Sequence, residues 1–541
     1  MKARLTFIAL LLLFLTGLNA QTGFLGRSEG PLKPQSPLFG KDIVIHDQPD
    51  RNQRNLAVCS AFNGWLYAAY SYSQPDQGYI SILRSIDNGI SWNVIGGGGA
   101  TIFGNKIITN LGIIACGNSL SNIKLFMGWV FNDTVLNFWG AYVARYNPEP
   151  FTVEGEILNE TGGIKDLVLS SDYNYPALNS NPYSIAVLYS KSGVKDSIIF
   201  RSSSNGGLSL DNRLTLATTW NYFHKVSLNY GRSPSWSSGR YFAAWEEQTD
   251  QYSTLGHIYT AHSDPYFNSP FTNPVCLDSL DPSAINKVRH PSIACQFSNT
   301  DNNSGNLTEM FIFEKFLSIS NTYDLEGFYN VQATNSNNFN DFSVSSLSYN
   351  KLQPDVNFNP YNSTFMLTYF DSTEKKLPFL TNDVNLANPN SWNIISQAYN
   401  DNSNVIAPYP KVKLNIGQQD GMNVWISEET GGNGIAMFDA PYSNYTGISG
   451  NSTSTLARLY GAYPNPCSNN IKIAFELKKT GKVTIHVFSI FDQLLGTVTD
   501  QAYSEGKHVV QYDVSDFPAG TYFYNFRAGD FTASGKFAVI R

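Results

Sequence analysis

Seven apolar segments recur about every sixty residues along this chain: WLYAAYSY (65–72), IKLFMGWVF (123–131), YSIAVLYS (183–190), RYFAAWEE (240–247), EMFIFEKF (309–316), TFMLTYFD (364–371) and NVWISEE (423–429). A fixed period of that length marks a molecule built from copies of one supersecondary unit, none of which buries its apolar face alone. Several segments follow a shorter, proline-opened run, as in RSPSW, HPSIAC, QPDVNF and YPKVKL. Most precede a third run such as YISILRS, DSIIFRS, GHIYTAHS or GIAMFDA. Each unit therefore reads as three or four antiparallel strands separated by turn residues.

Strands of that kind, repeated radially, predict an all-β chain whose main body, residues 41–446, is a β-propeller. Seven units give seven blades, or six if one is degenerate. A ring needs a strand from the other end of the chain to cover its last free edge, and KDIVIHD (41–47) suits that task. The composition agrees: aromatic residues make up 14% and charged residues 15% of the chain, which favours sheets over long charged helices.

The turn after the third run of the first unit reads SIDNGISW, with Ser85, Asp87, Gly89 and Trp92 in the pattern S-x-D-x-G-x-x-W; a weaker copy, SSNGGLSL, stands at 203–210. It resembles the Asp box, or BNR repeat, of sialidase-like propellers. Its chemistry is local. Ser and Asp side chains bond turn backbone, Gly takes a positive φ, and Trp packs between blades. The box is thus read as structural, and a turn between third and fourth strands lies on the face away from the usual ligand site.

After residue 446 a Ser/Thr/Gly-rich stretch, 447–458, reads as a flexible linker. Beyond it, IKIAFEL, VTIHVFSI, HVVQYDV and TYFYNFRA alternate apolar and polar positions, as the strands of a small Ig-like β-sandwich do. The order YPNP (463–466), KVTIHVFSIFDQLLG (482–496), GKHVVQYDVSDFPAGTYFYNF (506–526) and terminal KFAVIR resembles the type A C-terminal sorting domain of the type IX secretion system, here over residues 459–541. Phe488 and Tyr512 stand where Tyr and Trp are more usual. The resemblance implies a member of the Bacteroidota, the type IX machinery as partner, and delivery to the outer-membrane surface or the extracellular space. The other end agrees with export. Met1-Lys2-Ala3-Arg4, an apolar run from Leu5 to Leu18 and small Ala20 have the layout of a signal peptide over residues 1–20, and no other stretch could form a transmembrane helix.

The formal net charge of −7 offers no footprint for nucleic acid. Five cysteines include no CxxC pair, so no metal site is read; one disulfide is open to an exported chain. Candidate chemistry sits where second strands end, near the expected ligand face. Glu246, Glu247, Glu314, Asp371, Glu428 and Glu429 form a candidate acidic rim that could act as acid and base on a glycoside or hold Ca2+ through oxygen ligands. No calcium motif accompanies them and no cofactor is expected. Arg54, Arg232 and Arg289 are read into the loops between blades, where guanidinium groups could clamp a carboxylate. Trp245, with Tyr70, Tyr72 and Trp129, could stack on sugar rings. Sialidases usually carry a Phe/Tyr-Arg-Ile-Pro segment in the first blade, but here Arg54 precedes Asn55-Leu56. The expectation is a surface or secreted protein that binds glycans or glycoproteins without catalysis. A sialidase-like or other glycoside hydrolase and a structural adhesion component are the alternatives.

Overall fold

The computed structural model describes residues 42–45, 52–74, 77–98, 106–117, 122–171, 184–232, 239–250, 253, 255–263, 271–281, 287–296, 307–331, 338–344, 350–383, 392–396, 398–400, 409–416, 420–428, 433–440, 457–463, 467–488, 494–528 and 531–541. The expected signal peptide, nearly all of the linker and Glu429 lie outside them.

Seven four-stranded antiparallel units follow one another. From the inside outwards, blade one is Asn52–Ser60, Leu66–Gln74, Gln77–Ser85 and Asn93–Gly98; blade two is Lys106–Cys116, Lys124–Asp133, Phe138–Pro148 and Phe151–Thr161. Blade three is Ile164–Ser171, Ile185–Lys191, Asp196–Ser202 and Asn212–Thr219; blade four is Tyr222–Gly231, Arg240–Gln248, Gly256–His262 and the short Val275–Cys276. Blade five is Val288–Cys295, Glu309–Leu317, Thr322–Asn330 and Asn340–Ser343; blade six is Lys351–Asn359, Thr364–Asp371, Phe379–Asp383 and Asn393–Ser396. Blade seven has Lys411–Asn415, Asp420–Glu428 and Gly434–Asp439, and its outer strand is Ile43–Val44 from the other end of the chain. Ile43 pairs with Phe438 and Val44 with Met437, and Ile45 N–H donates to Ala436 O at 2.9 Å. The ring is closed as KDIVIHD suggested, with seven blades rather than six.

Every apolar repeat is a second strand, and its nearly unbroken hydrophobicity has a geometric cause. Side chains alternate between the two faces of a strand, and both faces of a blade meet another blade. Tyr67 and Ala69 pack with Ile113 and Leu125 of blade two. Leu66, Ala68 and Tyr70 point the other way, onto Met422, Val424 and Phe438 of blade seven. The inner strands are bonded to one another through side chains. Asn55 Nδ2 donates to Ile108 O at 2.8 Å and Asn110 Nδ2 to Leu167 O at 3.0 Å. Asp166 accepts Val226 N–H at 3.0 Å, Ser227 Ile293 N–H at 3.1 Å, Ser292 Val356 N–H at 3.0 Å and Asp355 Val412 N–H at 2.9 Å. Ser60 closes the circuit, accepting Ile416 N–H at 3.2 Å and donating to Leu414 O at 3.0 Å.

One expected boundary is wrong. The inner strand of blade four is Tyr222–Gly231 and not RSPSW, most of which lies outside the described residues; Arg232 follows the strand's end. A proline stands at the register shift in the inner strands of blades five and six, at Pro291 and Pro354, and just before that of blade seven, at Pro410, whereas blade four reaches the axis through YFHKVSLNYG, whose charge and missing proline hid it.

The C-terminal unit is a β-sandwich of a three-stranded sheet (Ala457–Tyr463, Asn470–Leu477, Gly506–Asp513) and a four-stranded one (Leu494–Tyr503, Gly481–Phe488, Gly520–Ala528, Phe531–Val539). Its first strand starts at Ala457, two residues before the expected boundary. Ile471, Ile473, Phe475, Val483, Ile485, Val487, Tyr524 and Phe526 form its core. All five cysteines are free thiols. Among the described residues no helix is long and apolar enough to cross a membrane.

Candidate ligand site

Inner strands start at one face of the ring, second strands end there, and third strands start there. The seven inner strands enclose a channel with a cavity of about 840 Å³, within the range of small-ligand pockets. Six of the seven inner strands carry a register shift against the second strand near this mouth, for example between Arg54 and Ala57, Arg289 and Ser292, and Leu352 and Asp355. Bulges of that kind re-aim side chains. At several of them the backbone turns left-handed: φ is 50° at Asn55, 53° at His290 and 54° at Gln353, and 39° at Tyr409 before the inner strand of blade seven.

The charged side chains lining the cavity are mostly cationic. Arg54, Lys225, Lys411 and Lys413 stand against Asp166 and Asp355, which leaves two excess positive charges before His290 is counted. Arg54 is exposed and its guanidinium has no partner among the described residues. Lys225 lies 3.5 Å from Asp166, whose charge holds its ammonium above the usual lysine range. Lys411 and Lys413 each lie 3.4 Å from Asp355 while staying 43% and 36% exposed. Both aspartates already accept the N–H of the next inner strand. Tyr409, 59% exposed, stands beside the lysines on the cavity wall.

Among the described residues, three of the carboxylates expected in an acidic rim are buried. Glu246, Glu314 and Asp371 are 1%, 0% and 3% exposed. Glu246 accepts His290 N–H at 2.9 Å and is also bonded by Gln248 Nε2; burial raises its carboxyl above the usual range, against the opposing pull of His290. Glu314 takes Arg289 Nε at 2.6 Å, His290 Nδ1 at 2.8 Å and Gln353 N–H at 2.7 Å. Burial pushes Glu314 up, and those three donors together bring it below the usual range. Asp371 folds its own turn by accepting the N–H groups of Thr373 and Glu374. Glu247, partly exposed, binds Thr219 Oγ1 at 2.7 Å and Asn221 Nδ2 at 2.8 Å. Glu428 ends the second strand of blade seven, opposite Gly434. For Glu246 and Glu314 the physical reason is shared: the chain entering the next blade leaves backbone N–H groups, of His290 and Gln353, that need acceptors at this level.

The three arginines do not converge. Arg54 faces the cavity, Arg289 is held by Glu314 with its guanidinium 3.9 Å from the Tyr323 ring centre, and Arg232 lies at the opposite end of its inner strand. There its N–H donates to Gln296 O at 3.1 Å. Trp245 is 1% exposed and Tyr70, Tyr72 and Trp129 are also buried, so none is a sugar platform; each sits on a second strand between two blades.

The turn at 85–92 joins the third and fourth strands of blade one, away from the mouth. Ser85 Oγ accepts Gly89 N–H at 2.8 Å and Asp87 Oδ1 accepts Ser91 N–H at 2.9 Å. Trp92 meets Phe438 of blade seven edge-on at 5.5 Å. At 203–210 the same circuit recurs, with Gly207 N–H on Ser203 Oγ at 2.8 Å and Ser209 N–H on Asn205 Oδ1 at 3.0 Å. Buried Leu210 stands in for the tryptophan.

Sequence reasoning missed Lys225, Tyr409, Lys411, Lys413, Asp166 and Asp355. A partial signal was present: every inner strand has a lysine or arginine within its first four residues, at Arg54, Lys106, Lys165, Lys225, Arg289, Lys351 and Lys411, of which Arg54, Lys225 and Lys411 line the cavity.

Comparison with curated proteins finds no match. Among solved structures, a Dyadobacter fermentans protein of unknown function is 11% identical with a TM-score of 0.43, over 75% of this chain and 99% of that one. An alpha-L-arabinofuranosidase from Fusarium graminearum is 11% identical with a TM-score of 0.41, over 75% and 98%. A NanB sialidase variant from Streptococcus pneumoniae is 10% identical with a TM-score of 0.38, over 75% and 71%. Residues 461–540 match the family described as Secretion system C-terminal sorting domain. The two-sheet unit at the end of this chain is therefore a type IX sorting domain, which implies export to the cell surface or beyond and the secretion machinery as its partner.

Proposed function

We propose that the exported propeller binds an anionic ligand, an acidic saccharide of surface or secreted glycans, at the channel mouth and does not turn it over. The observation that carries this reading is the excess of cations over carboxylates on the cavity wall, in a chain whose net charge is −7. A concave site lined by one sign of charge concentrates ligands of the other, and Arg54 supplies an unengaged bidentate donor for a carboxylate or sulfate group. Exposed Tyr409 adds an aromatic face beside the lysines, suited to a sugar ring. The absence of turnover is supported by how the carboxylates near the mouth are used: Glu246, Glu314, Asp166 and Asp355 all accept backbone N–H groups, a structural task.

Calorimetric titration of the full chain with acidic and neutral oligosaccharides tests the proposal, alongside a turnover assay on fluorogenic glycosides. Acidic chains should bind, more weakly as salt rises, and Arg54→Glu or Lys411→Glu should weaken binding tenfold or more. Equal binding of neutral chains, or affinity indifferent to salt and to both variants, would overturn it. Turnover lost in Glu246→Gln would instead favour a hydrolase.

A further inference from the structure

Three metal-ligand side chains converge on the outer part of blade four, on the face that carries the channel mouth. His257 lies at the start of the third strand, Cys276 ends the short fourth strand, and Asp278 begins the 3-10 turn Asp278–Leu280. His257 Nδ1 is 2.8 Å from Asp278 Oδ2, Cys276 Sγ is 3.3 Å from Asp278 Oδ1, and Sγ is 3.9 Å from Nδ1. Around a tetrahedral zinc ion, with bonds of about 2.0 Å to nitrogen or oxygen and about 2.3 Å to sulfur, ligand atoms lie roughly 3.5 Å apart. The observed separations, two of them to different oxygens of the Asp278 carboxylate, run from 2.8 to 3.9 Å around that value.

Two other uses of the cluster fit worse. A cysteine nucleophile needs its thiol and the orienting carboxylate on different imidazole nitrogens, whereas here both face Nδ1. A disulfide has no second thiol nearby, since the other four cysteines are buried elsewhere.

We propose that His257, Cys276 and Asp278 hold a zinc ion through three protein ligands, with the fourth position open to solvent. Nitrogen, thiolate and carboxylate suit zinc rather than calcium or magnesium. The open side follows from exposure: Asp278 is fully buried and His257 is 24% exposed. Second contacts fix the cluster, because Asp278 Oδ1 also accepts Ile258 N–H at 3.0 Å. Three residues on, Asp281 takes Lys315 Nζ of blade five at 2.8 Å. The ion would pin the connection between blades four and five and present a free coordination site on the ligand face. No CxxC spacing announces it, as His257 is 19 positions from Cys276 and reaches it only across the sheet.

The full chain, stripped with a chelator and dialysed, is titrated with Zn2+ against a chromophoric competitor and separately with Co2+. One zinc per chain should bind, with proton release, tighter at higher pH because the thiol must ionise. Co2+ should give a thiolate charge-transfer band. Cys276→Ser should abolish that band, and His257→Gln, at a partly exposed position where folding is checked by circular dichroism, should weaken zinc binding tenfold or more. Folded wild type that retains no zinc, or metal binding unchanged in both variants, would overturn the site.

Discussion

Glu309 opens the second strand of blade five at the end remote from the mouth, and it is 2% exposed with Asn330 Nδ2 at 3.4 Å as its hydrogen-bond partner. Burial pushes its carboxyl up from 4.5 to about 8. The folded chain therefore keeps this proton over a range in which the unfolded chain has lost it, so stability from this group is full below about pH 4.5 and is lost as pH rises through about 8. Glu309→Gln retains a neutral side chain of the same shape. It should raise stability at pH 9 by a few kcal/mol, since each tenfold difference in proton affinity between the folded and unfolded chain is worth about 1.4 kcal/mol, and leave pH 4 almost unchanged. Denaturant melts at the two pH values check this, and equal effects at both would refute the buried, protonated carboxyl. At this scale the sequence was least legible. Glu246 and Glu314 read as rim acids because strand ends usually meet water; nothing local revealed that the next blade's His290 and Gln353 N–H groups would land on them. Gly89, by contrast, was readable: its φ is +92°, and an added Cβ would fall 2.1 Å from Phe438.

Among the elements, the inner strands carry both the ring and the site. Asp355 is the clearest case, since one carboxylate accepts Val412 N–H and lies between Lys411 and Lys413. Asp355→Ala leaves a buried N–H without an acceptor and should cost about 1–3 kcal/mol, measured by denaturant unfolding. Asp355→Asn keeps an acceptor and removes a negative charge from the mouth. It should fold nearly as well as wild type and bind the acidic saccharide more tightly; weaker binding in a folded protein would count against a cationic mouth. Second strands were easy to read because two buried faces make a continuous apolar run. Inner strands were not, since one edge faces the channel and their polar residues break the pattern, most completely in YFHKVSLNYG of blade four. A repeat search that aligned lysine and arginine positions ahead of each apolar segment would have found three of its cations, Arg54, Lys225 and Lys411.

In the molecule as a whole, closure depends on a strand of two residues, Ile43–Val44, with Ile45 bonded just beyond it. Deleting residues 42–45 should expose the edge Gly434–Asp439 and part of the cluster containing Ile45, Leu66, Tyr70 and Phe438. Limited proteolysis should then cut blade seven first, while the intact ring resists; identical digestion patterns would show that closure contributes nothing. The sixty-residue period, the blade number and the closing strand were all legible because they are properties of spacing. The cluster of His257, Cys276 and Asp278 and the cationic mouth were not, because each assembles from side chains that the sheet brings together across distant positions.

The pairing of Ile43 with Phe438 also sets a schedule. During synthesis the first blade emerges with Leu66, Ala68 and Tyr70 facing a partner that does not yet exist, because Met422, Val424 and Phe438 come last. A nascent chain must therefore carry a greasy flank through the making of five further blades. That waiting period is where a holding chaperone would act, and where forms truncated before blade seven should aggregate.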